Sequence, residues 1–193
     1  MTNRSDRDRL WDHFVNSAPA DAKNELTPHM QSAPEGRVYP VQSASDDPAT
    51  NSQTIKDLAQ WLGANMVGIT ALDETLQPVS TPEAGGEAIS LPIGIVCVVF
   101  SDYDPEQSKG MGGQQSAQTG AVILHHLRAY ILELGFRASF SDLDSAAVAE
   151  AAELGRRDQS GRFVTRSKSP NSVVSYVLCT DLPLAPDGRL NAS

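Results

Sequence analysis

The stretch Ile93-Gly-Ile-Val-Cys-Val-Val-Phe100 decides the fold, because it is the strongest β-strand pattern of the chain. Valine, isoleucine and phenylalanine are residue types that strands favour. The stretch is apolar at consecutive positions rather than at alternate ones, which is typical of a strand covered on both faces. We therefore predict that it is the central strand of a sheet.

Helix and strand patterns alternate around this strand, which predicts an α/β class, in the form of an α+β sandwich. The spacing of apolar residues predicts a long helix from about Gln115 to Leu134, with His126 in its apolar stripe. Residues 71–90 and 155–171 are polar and are predicted as loops. The remaining predicted elements are a helix from Thr54 to Leu62, an alanine-rich helix ending near Leu154, and strands over 66–70, 136–140 and 173–179.

The first part of the chain has a different composition from the rest. Residues 1–51 are predicted to be an extended arm with a short helix, and residues 52–193 a compact domain. Leu10, Trp11 and Phe14 fall on one side of the short helix. The proline-rich remainder of the arm either docks on the domain or on a second subunit, or is a solvated tail.

Composition excludes several classes of protein. The 193 residues are 40% hydrophobic, which suits one folded domain rather than a disordered chain. The formal charge of −9 argues against binding to nucleic acid through phosphate contacts. No apolar run is long enough for a membrane span, and the N-terminus does not resemble a secretory signal. We therefore expect a cytoplasmic protein.

The cysteines indicate no metal centre. Cys97 and Cys179 each lie in an apolar, β-branched segment, so we expect two buried, reduced thiols. A structural zinc or an iron–sulfur cluster needs about four ligands at short spacings. We therefore expect neither in this chain.

Three segments could bind a ligand. Glycines at 110, 112 and 113 precede a polar run that opens the long helix, and a helix N-terminus attracts anions. Residues 156–168 hold the one basic cluster of an acidic chain and could receive carboxylate, amide or phosphate groups. His125 and His126 project about 100° apart, so they cannot ligate one metal from one face. Each segment also has a plain structural interpretation, namely a flexible loop, a solvated surface and ordinary core or surface histidines.

Four segments, taken in order, resemble the corrinoid-dependent reductive dehalogenases. Ile55 to Thr70 resembles the helix and strand that open the core of that family. Ile131-Leu-Glu-Leu-Gly-Phe-Arg-Ala138 is similar to its "IRQLGYxA" segment, and Ala149-Glu-Ala-Ala-Glu-Leu-Gly-Arg156 to its "AGLGELGR" segment. Thr180-Asp-Leu-Pro-Leu-Ala-Pro-Asp187 resembles its "TDLPLxPDKP" segment. Epoxyqueuosine reductase and a vitamin B12-processing protein are more distant relatives of that family.

The resemblance implies a nitroreductase-like, cobalamin-binding fold with a central, mainly antiparallel sheet flanked by helices. It implies a base-off cobalamin held between the long helix and the loops near 155–171. It also implies a homodimer, because such folds commonly dimerise. The side chains that we expect to bind the corrin amides or the nucleotide phosphate are Gln115, Gln118, Thr119, His126, Arg156, Ser160, Thr165 and Ser167.

The chain departs from the family at working positions. No cysteine motif follows the Asp-Leu-Pro segment, so we expect no internal iron–sulfur relay. The family's proton-donating tyrosine would fall near Ala117, where the chain has no tyrosine, and Val173 stands at the place of a family arginine. The expected function is therefore binding or carrying cobalamin without intrinsic dehalogenase activity.

Two other functions stay open. The chain could be a cobalamin-dependent reductase, dehalogenase or dealkylase that takes electrons from a separate ferredoxin or flavoprotein. It could also be a cofactor-free interaction module. As a carrier, it would hand the corrinoid to an accepting protein.

Overall fold

A computed structural model describes residues 4–17, 25–73, 76, 79–82, 88–104, 107–167 and 171–188. The helices are α1 (Arg4–Asp12), which continues into a π-helical segment (His13–Ser17), α2 (Leu26–Gln31), α3 (Pro48–Trp61), α4 (Met111–Glu133) and α5 (Ser145–Ala151). The strands are β1 (Met66–Ala71), β2 (Val79–Pro82), β3 (Ala88–Leu91), β4 (Ile93–Phe100), β5 (Ala138–Ser141), β6 (Gly155–Arg157), β7 (Phe163–Thr165), β8 (Ser172–Val174) and β9 (Val177–Thr180).

The main sheet is antiparallel and is built around β4, as the sequence predicts. Its order is β1-β4-β9-β5. β1 pairs with β4 along its full length, from Met66 opposite Val98 to Ala71 opposite Ile93. On the other side of β4, the first residues pair with β9 and the last residues pair with β8. The mixed α/β class with helices flanking a central antiparallel sheet is confirmed.

Both faces of β4 are covered, which explains why its sequence does not alternate. Ile95, Cys97 and Val99 belong to the apolar cluster formed with α3 and α4. Val96 and Val98 belong to the cluster on the opposite face, which includes α5. Each such side chain, once fully buried, contributes about 1.5–3 kcal/mol relative to exposure. The sheet is therefore the middle layer of a three-layer sandwich.

Several predicted elements differ from the structure: α4 begins at Met111 rather than Gln115, and the strand predicted over 173–179 is divided into β8 and β9. α3 begins earlier than Thr54, because the carboxylate of Asp47 accepts the backbone N–H groups of Ala49 and Thr50. The predicted loop over 71–90 contains the hairpin β2–β3, and the predicted loop over 155–171 contains the hairpin β6–β7. The strands of both hairpins have only three or four residues, too few for an apolar periodicity to mark them.

Part of the proline-rich arm is docked on the domain rather than solvated. The Arg128 guanidinium on α4 donates to the carbonyl oxygens of Ala33 (3.0 Å) and Pro34 (2.8 Å). Further along, the N–H of Tyr39 donates to Leu132 O and the N–H of Ser43 to Leu134 O. Residues 33–43 therefore run beside the C-terminal half of α4.

The segment Thr180–Asp187, which carries the strongest family resemblance, is hydrogen-bonded to α3. The Ser52 hydroxyl donates to Ala185 O (3.0 Å), and the Ala185 N–H donates to the same hydroxyl oxygen (2.8 Å). The Asn51 amide donates to Pro183 O (3.0 Å). These bonds attach the last described residues to α3.

Candidate functional site

The predicted binding residues fall into two groups on different elements. Gln115, Gln118, Thr119 and His126 lie on α4. Arg156, Ser160, Thr165 and Ser167 lie on the hairpin β6–β7, in its turn and just after it. Since α4 covers one face of the sheet and the hairpin follows α5 on the other face, the sheet lies between the two groups.

The α4 group opens the helix with polar side chains. Gln115 is exposed, and Gln118 and Thr119 are half-buried. The Thr119 hydroxyl donates to the carbonyl oxygen of Gln115 (2.9 Å), as threonine often does inside a helix. The Gln115 amide projects from this surface and can both donate and accept hydrogen bonds.

The predicted position of His126 in the apolar stripe of α4 is wrong. His126 is exposed, and its Nδ1 lies 2.8 Å from Val122 O. The buried side of the helix instead includes Leu124, Arg128 and Leu132. The stripe is rotated because the arm covers the side that carries Arg128, whose guanidinium also lies 4.4 Å above the Phe140 ring.

His125 is the more buried of the two histidines. Burial lowers its pKa, and the charges of Arg128 and His126 lower that pKa further. Its buried Nδ1 has no hydrogen-bond partner among the residues that the structure describes. Burial and the two neighbouring charges therefore favour the neutral form of His125.

Two residues of the hairpin group, Arg156 and Thr165, line an open cavity of about 510 Å³ together with Gly155, Val164 and Arg166. Thr165 is 2% exposed, and its hydroxyl lies 3.1 Å from that of Ser167. The Arg156 side chain is exposed beside it. Arg156 and Thr165 thus line one cavity, and the hydroxyl of Ser167 lies beside that of Thr165.

Ser160 has a local role in the turn of this hairpin. Its N–H and hydroxyl both donate to the Asp158 carboxylate, at 2.8 and 2.6 Å. This hydroxyl, with the N–H of Arg162 and other smaller effects, lowers the pKa of Asp158. Ser160 therefore shapes the turn, and its hydroxyl is engaged within it.

Part of the basic cluster is neutralised by acidic neighbours. Arg157 forms an ion pair with Asp144, the N-cap residue of α5, and lies near Glu150. Arg166 lies 4.0 Å from Glu153. Arg156 has no such ion pair among the described residues, so it is the cation that the cavity presents most openly.

Ser116 belongs to the polar run that opens the long helix, but it is not among the predicted binding residues. This side chain is 3% exposed, and its hydroxyl has no hydrogen-bond partner within the described part of the chain. It lies one helical turn after Gly112, on the same side of α4. A glycine and a serine spaced by four residues indicate only a close-packed helix face, so the sequence carries no signal for the unpartnered hydroxyl.

The chain connects both groups to the same end of β4. Gly120 packs against Val99 and Ser175, so the first turns of α4 project past the end of β4. After the hairpin, the chain returns to that end, where Ser101 N–H donates to Asn171 O and Ser172 pairs with Phe100. A ligand that touches both groups has to extend around the end of β4 at Phe100.

The cysteines are buried as predicted. Cys97 and Cys179 are free thiols on opposite faces of the sheet. Burial raises the pKa of Cys97 to about 12 and that of Cys179 to about 11. Within the described ranges, no group of three or more His, Cys, Asp and Glu side chains could hold a metal ion, and no helix is long and apolar enough to cross a membrane.

Solved structures with the same fold are reductive dehalogenases. One, described as suggesting a mechanism for B12-dependent dehalogenation, matches 93% of this chain with a TM-score of 0.70 at 24% identity. The catabolic reductive dehalogenase NpRdhA, in complex with 3-bromo-4-hydroxybenzoic acid, matches 92% with a TM-score of 0.70 at 25% identity. Each match covers 27% of the dehalogenase chain, so this chain spans about a quarter of those proteins.

A more distant structural match is epoxyqueuosine reductase from Bacillus subtilis. It covers 75% of this chain and 48% of the reductase, with a TM-score of 0.52 at 12% identity. No protein-family model and no curated protein matches the chain. The similarity therefore establishes the fold, which is that of the reductive dehalogenase core.

Proposed function

We propose that this protein binds a corrinoid, cobalamin, around the end of β4, and carries or presents it. The observation that carries the proposal is the match of over nine-tenths of the chain to a B12-dependent reductive dehalogenase.

The donor chemistry on both sides of the sheet fits. A corrin ring carries amide side chains, and glutamine and threonine on the first turns of α4 can exchange hydrogen bonds with them. The buried Ser116 hydroxyl lacks a partner on the same helix. A nucleotide phosphate requires a cation with adjacent hydroxyl groups, which Arg156 supplies together with Thr165 and Ser167.

The separation of the two groups favours a large ligand over a small one. A small metabolite would reach α4 or the hairpin, but not both. Cobalamin combines a broad ring with a long nucleotide tail, so the ring can lie against the start of α4 while the tail reaches the cavity of about 510 Å³. When bound, the corrinoid would supply a cobalt centre that can change its oxidation state.

The residues of this chain would then bind and orient. Gln115, Gln118 and Thr119 would hold the ring amides, and Arg156 would neutralise the phosphate. Thr165, being buried, would position Ser167 rather than contact solvent. His126 stays on the exposed side of α4, where it would contact the ligand only at the edge.

The experiment is a visible-absorption titration of the protein with hydroxocobalamin, repeated after reduction to Co(II). Saturable binding with a base-off Co(II) spectrum is expected. Absence of binding in both oxidation states would refute the proposal. Turnover of an alkyl corrinoid or a halogenated compound with chemically generated Co(I) would show that the protein is an enzyme rather than a carrier.

Two variants test whether the nucleotide tail of cobalamin binds at the hairpin β6–β7. Arg156→Ala is expected to weaken binding about tenfold or more, because hydrogen bonds to charged groups are the stronger kind. Thr165→Val keeps the shape of the side chain and removes its hydroxyl, so it tests whether Thr165 positions Ser167. Arg37→Ala, which removes an exposed charge on the arm, is the matched control and should leave the affinity unchanged. Equal affinity of Arg156→Ala and the control would refute the tail position.

Base-off coordination, a homodimer, a separate electron donor or corrinoid acceptor and a cytoplasmic location stay predictions. Gel filtration of the protein with and without hydroxocobalamin tests the homodimer.

A further inference from the structure

The π-helical segment (His13–Ser17) lies directly over the start of α4. Val15 is 3% exposed, and it is the one buried side chain among residues 8–17. The N–H of Lys109 donates to Asn16 O (3.1 Å), which ties the backbone of the segment to the approach to α4. The segment therefore closes over the N-terminal end of the helix.

The two glycines at this end of α4 make the contact possible. A Cβ atom at Gly110 would lie 2.5 Å from Val15 O and 2.7 Å from its carbonyl carbon. A Cβ atom at Gly112 would lie 2.9 Å from the Tyr103 ring and closer still to a methyl group of Val15. Neither glycine has a positive φ, so what they supply is space for the segment. This accounts for the glycine-rich stretch as a seat for the arm.

The contact between residues 13–17 and α4 can open without disturbing the core. Leu10 and Trp11, on the preceding helix, are 66% and 60% exposed, so they do not anchor the arm in the domain. Val15 belongs to neither of the apolar clusters that pack on the sheet. Single turns of π-helix are uncommon and occur often at functional sites. Lifting the segment would leave the core of the sandwich intact.

Next to the seat of Val15, one buried polar group of α4 is unsatisfied. The N-cap residue Gly110 supplies no side-chain hydrogen bond to the first turn of α4. One turn after Gly112, the Ser116 hydroxyl is buried without a partner among the described residues. Gln115 and Thr119, which the proposed function assigns to the ligand, flank Ser116 on this helix. The closed arrangement therefore leaves the Ser116 hydroxyl buried without a hydrogen bond to any described residue.

We propose that residues 13–17 form a displaceable cover, which occupies the start of α4 in the free protein and is withdrawn when the corrinoid binds. This inference rests on the proposed function, because it assigns a regulatory element to that same site. A closed cover lowers the apparent affinity by the fraction of molecules that are open, so loosening the cover should strengthen binding.

The test compares three variants with the wild type. Val15→Asp places a charge in the apolar seat and should release the segment. Leu10→Asp makes the same change in charge at an exposed position of the arm and is the matched control. Gly112→Ala displaces Val15 from the helix side, and it replaces Val15→Asp if that variant does not fold. Hydrogen exchange of the Lys109 amide reports opening, and hydroxocobalamin titration reports affinity.

Faster exchange at Lys109 with an affinity about tenfold or more above that of wild type and Leu10→Asp is the expected result. In the wild type, adding hydroxocobalamin should likewise speed exchange at Lys109. Faster exchange at Lys109 in Val15→Asp with unchanged or weaker hydroxocobalamin binding would refute the displaceable cover. The proposed function would not be affected by that result. If neither the wild type nor the opened variant binds, the proposed function fails, and the cover fails with it.

Discussion

Asp187 pairs with Ile69 at both backbone groups of that residue. Its carboxylate accepts the Ile69 N–H (2.9 Å), and its own N–H donates to Ile69 O (2.6 Å). The same carboxylate forms an ion pair with Lys56 on α3. Because β1 is an edge strand of the main sheet, this arrangement satisfies backbone groups that would otherwise be open to another chain.

Replacing Asp187 should therefore destabilise the domain. Asp187→Ala is expected to lower the free energy of unfolding by about 2–3 kcal/mol, since it removes a charged acceptor from a half-buried amide and from Lys56. Asp187→Asn keeps an oxygen acceptor and should lose about half as much. Urea unfolding followed by circular dichroism measures both. Glu133→Gln, at an exposed helical position, is the control, and a loss no larger than that of the control would contradict the assigned role.

Arg128 should hold the arm through its planar, forked guanidinium. Arg128→Met is expected to cost about 2–4 kcal/mol, because two carbonyl oxygens of the arm lose a charged donor. Arg128→Lys keeps the charge but not the forked guanidinium, so its stability should lie between those of the wild type and Arg128→Met. Limited proteolysis within 33–43 should quicken in both variants. The exposed Arg37→Met is the control. Equal cleavage rates in Arg128→Met, Arg128→Lys and Arg37→Met would show that Arg128 does not hold the arm.

The thiols should be unreactive in the native protein. Burial raises the pKa of Cys97 to about 12 and that of Cys179 to about 11, so little thiolate forms at pH 8, and access is blocked as well. A disulfide exchange reagent is expected to modify no cysteine in the folded chain and two after unfolding in guanidinium. Rapid modification of either thiol before unfolding would show that the sheet is not covered on both faces.

The ion pair between Asp144 and Arg157 should make a pH-dependent contribution to stability. The hydrogen bond from Arg157, the largest favourable effect, lowers the pKa of Asp144 below 3.8. A group with a lowered folded pKa stabilises the native state above its unfolded pKa, and this contribution is lost as the pH falls through the folded pKa. The wild type should therefore exceed Asp144→Asn in stability near pH 7 and lose that advantage below about pH 4.

The magnitude of that advantage should be small. Asparagine also caps helices well, so the substitution isolates the charge, and partly exposed ion pairs contribute about 1 kcal/mol or less. Thermal unfolding at pH 7 and pH 3, at low and high salt, measures the difference. An advantage of the wild type that persists unchanged at pH 3 would contradict the assignment.

The sequence by itself determined the centre of the fold. β4 is apolar at consecutive positions because both its faces are covered, so this run of residues alone identifies it as the central strand. The same local logic correctly predicts that Cys97 and Cys179 are buried and that α4 is a long helix. It also predicts that Arg156 and Thr165 belong to one basic segment, because they are close in the chain.

Tertiary structure decided everything that depends on contacts between distant residues. His126 is exposed because Arg128 binds the arm at Ala33, and no periodicity within α4 encodes that contact. The strands of the hairpin β6–β7 have three residues each, too few to show a strand pattern. Gly110 and Gly112 are seated against Val15 only because the arm folds back onto the helix. Local apolar patterning specifies which residues are buried, whereas the side of a helix that is covered depends on which segment reaches it.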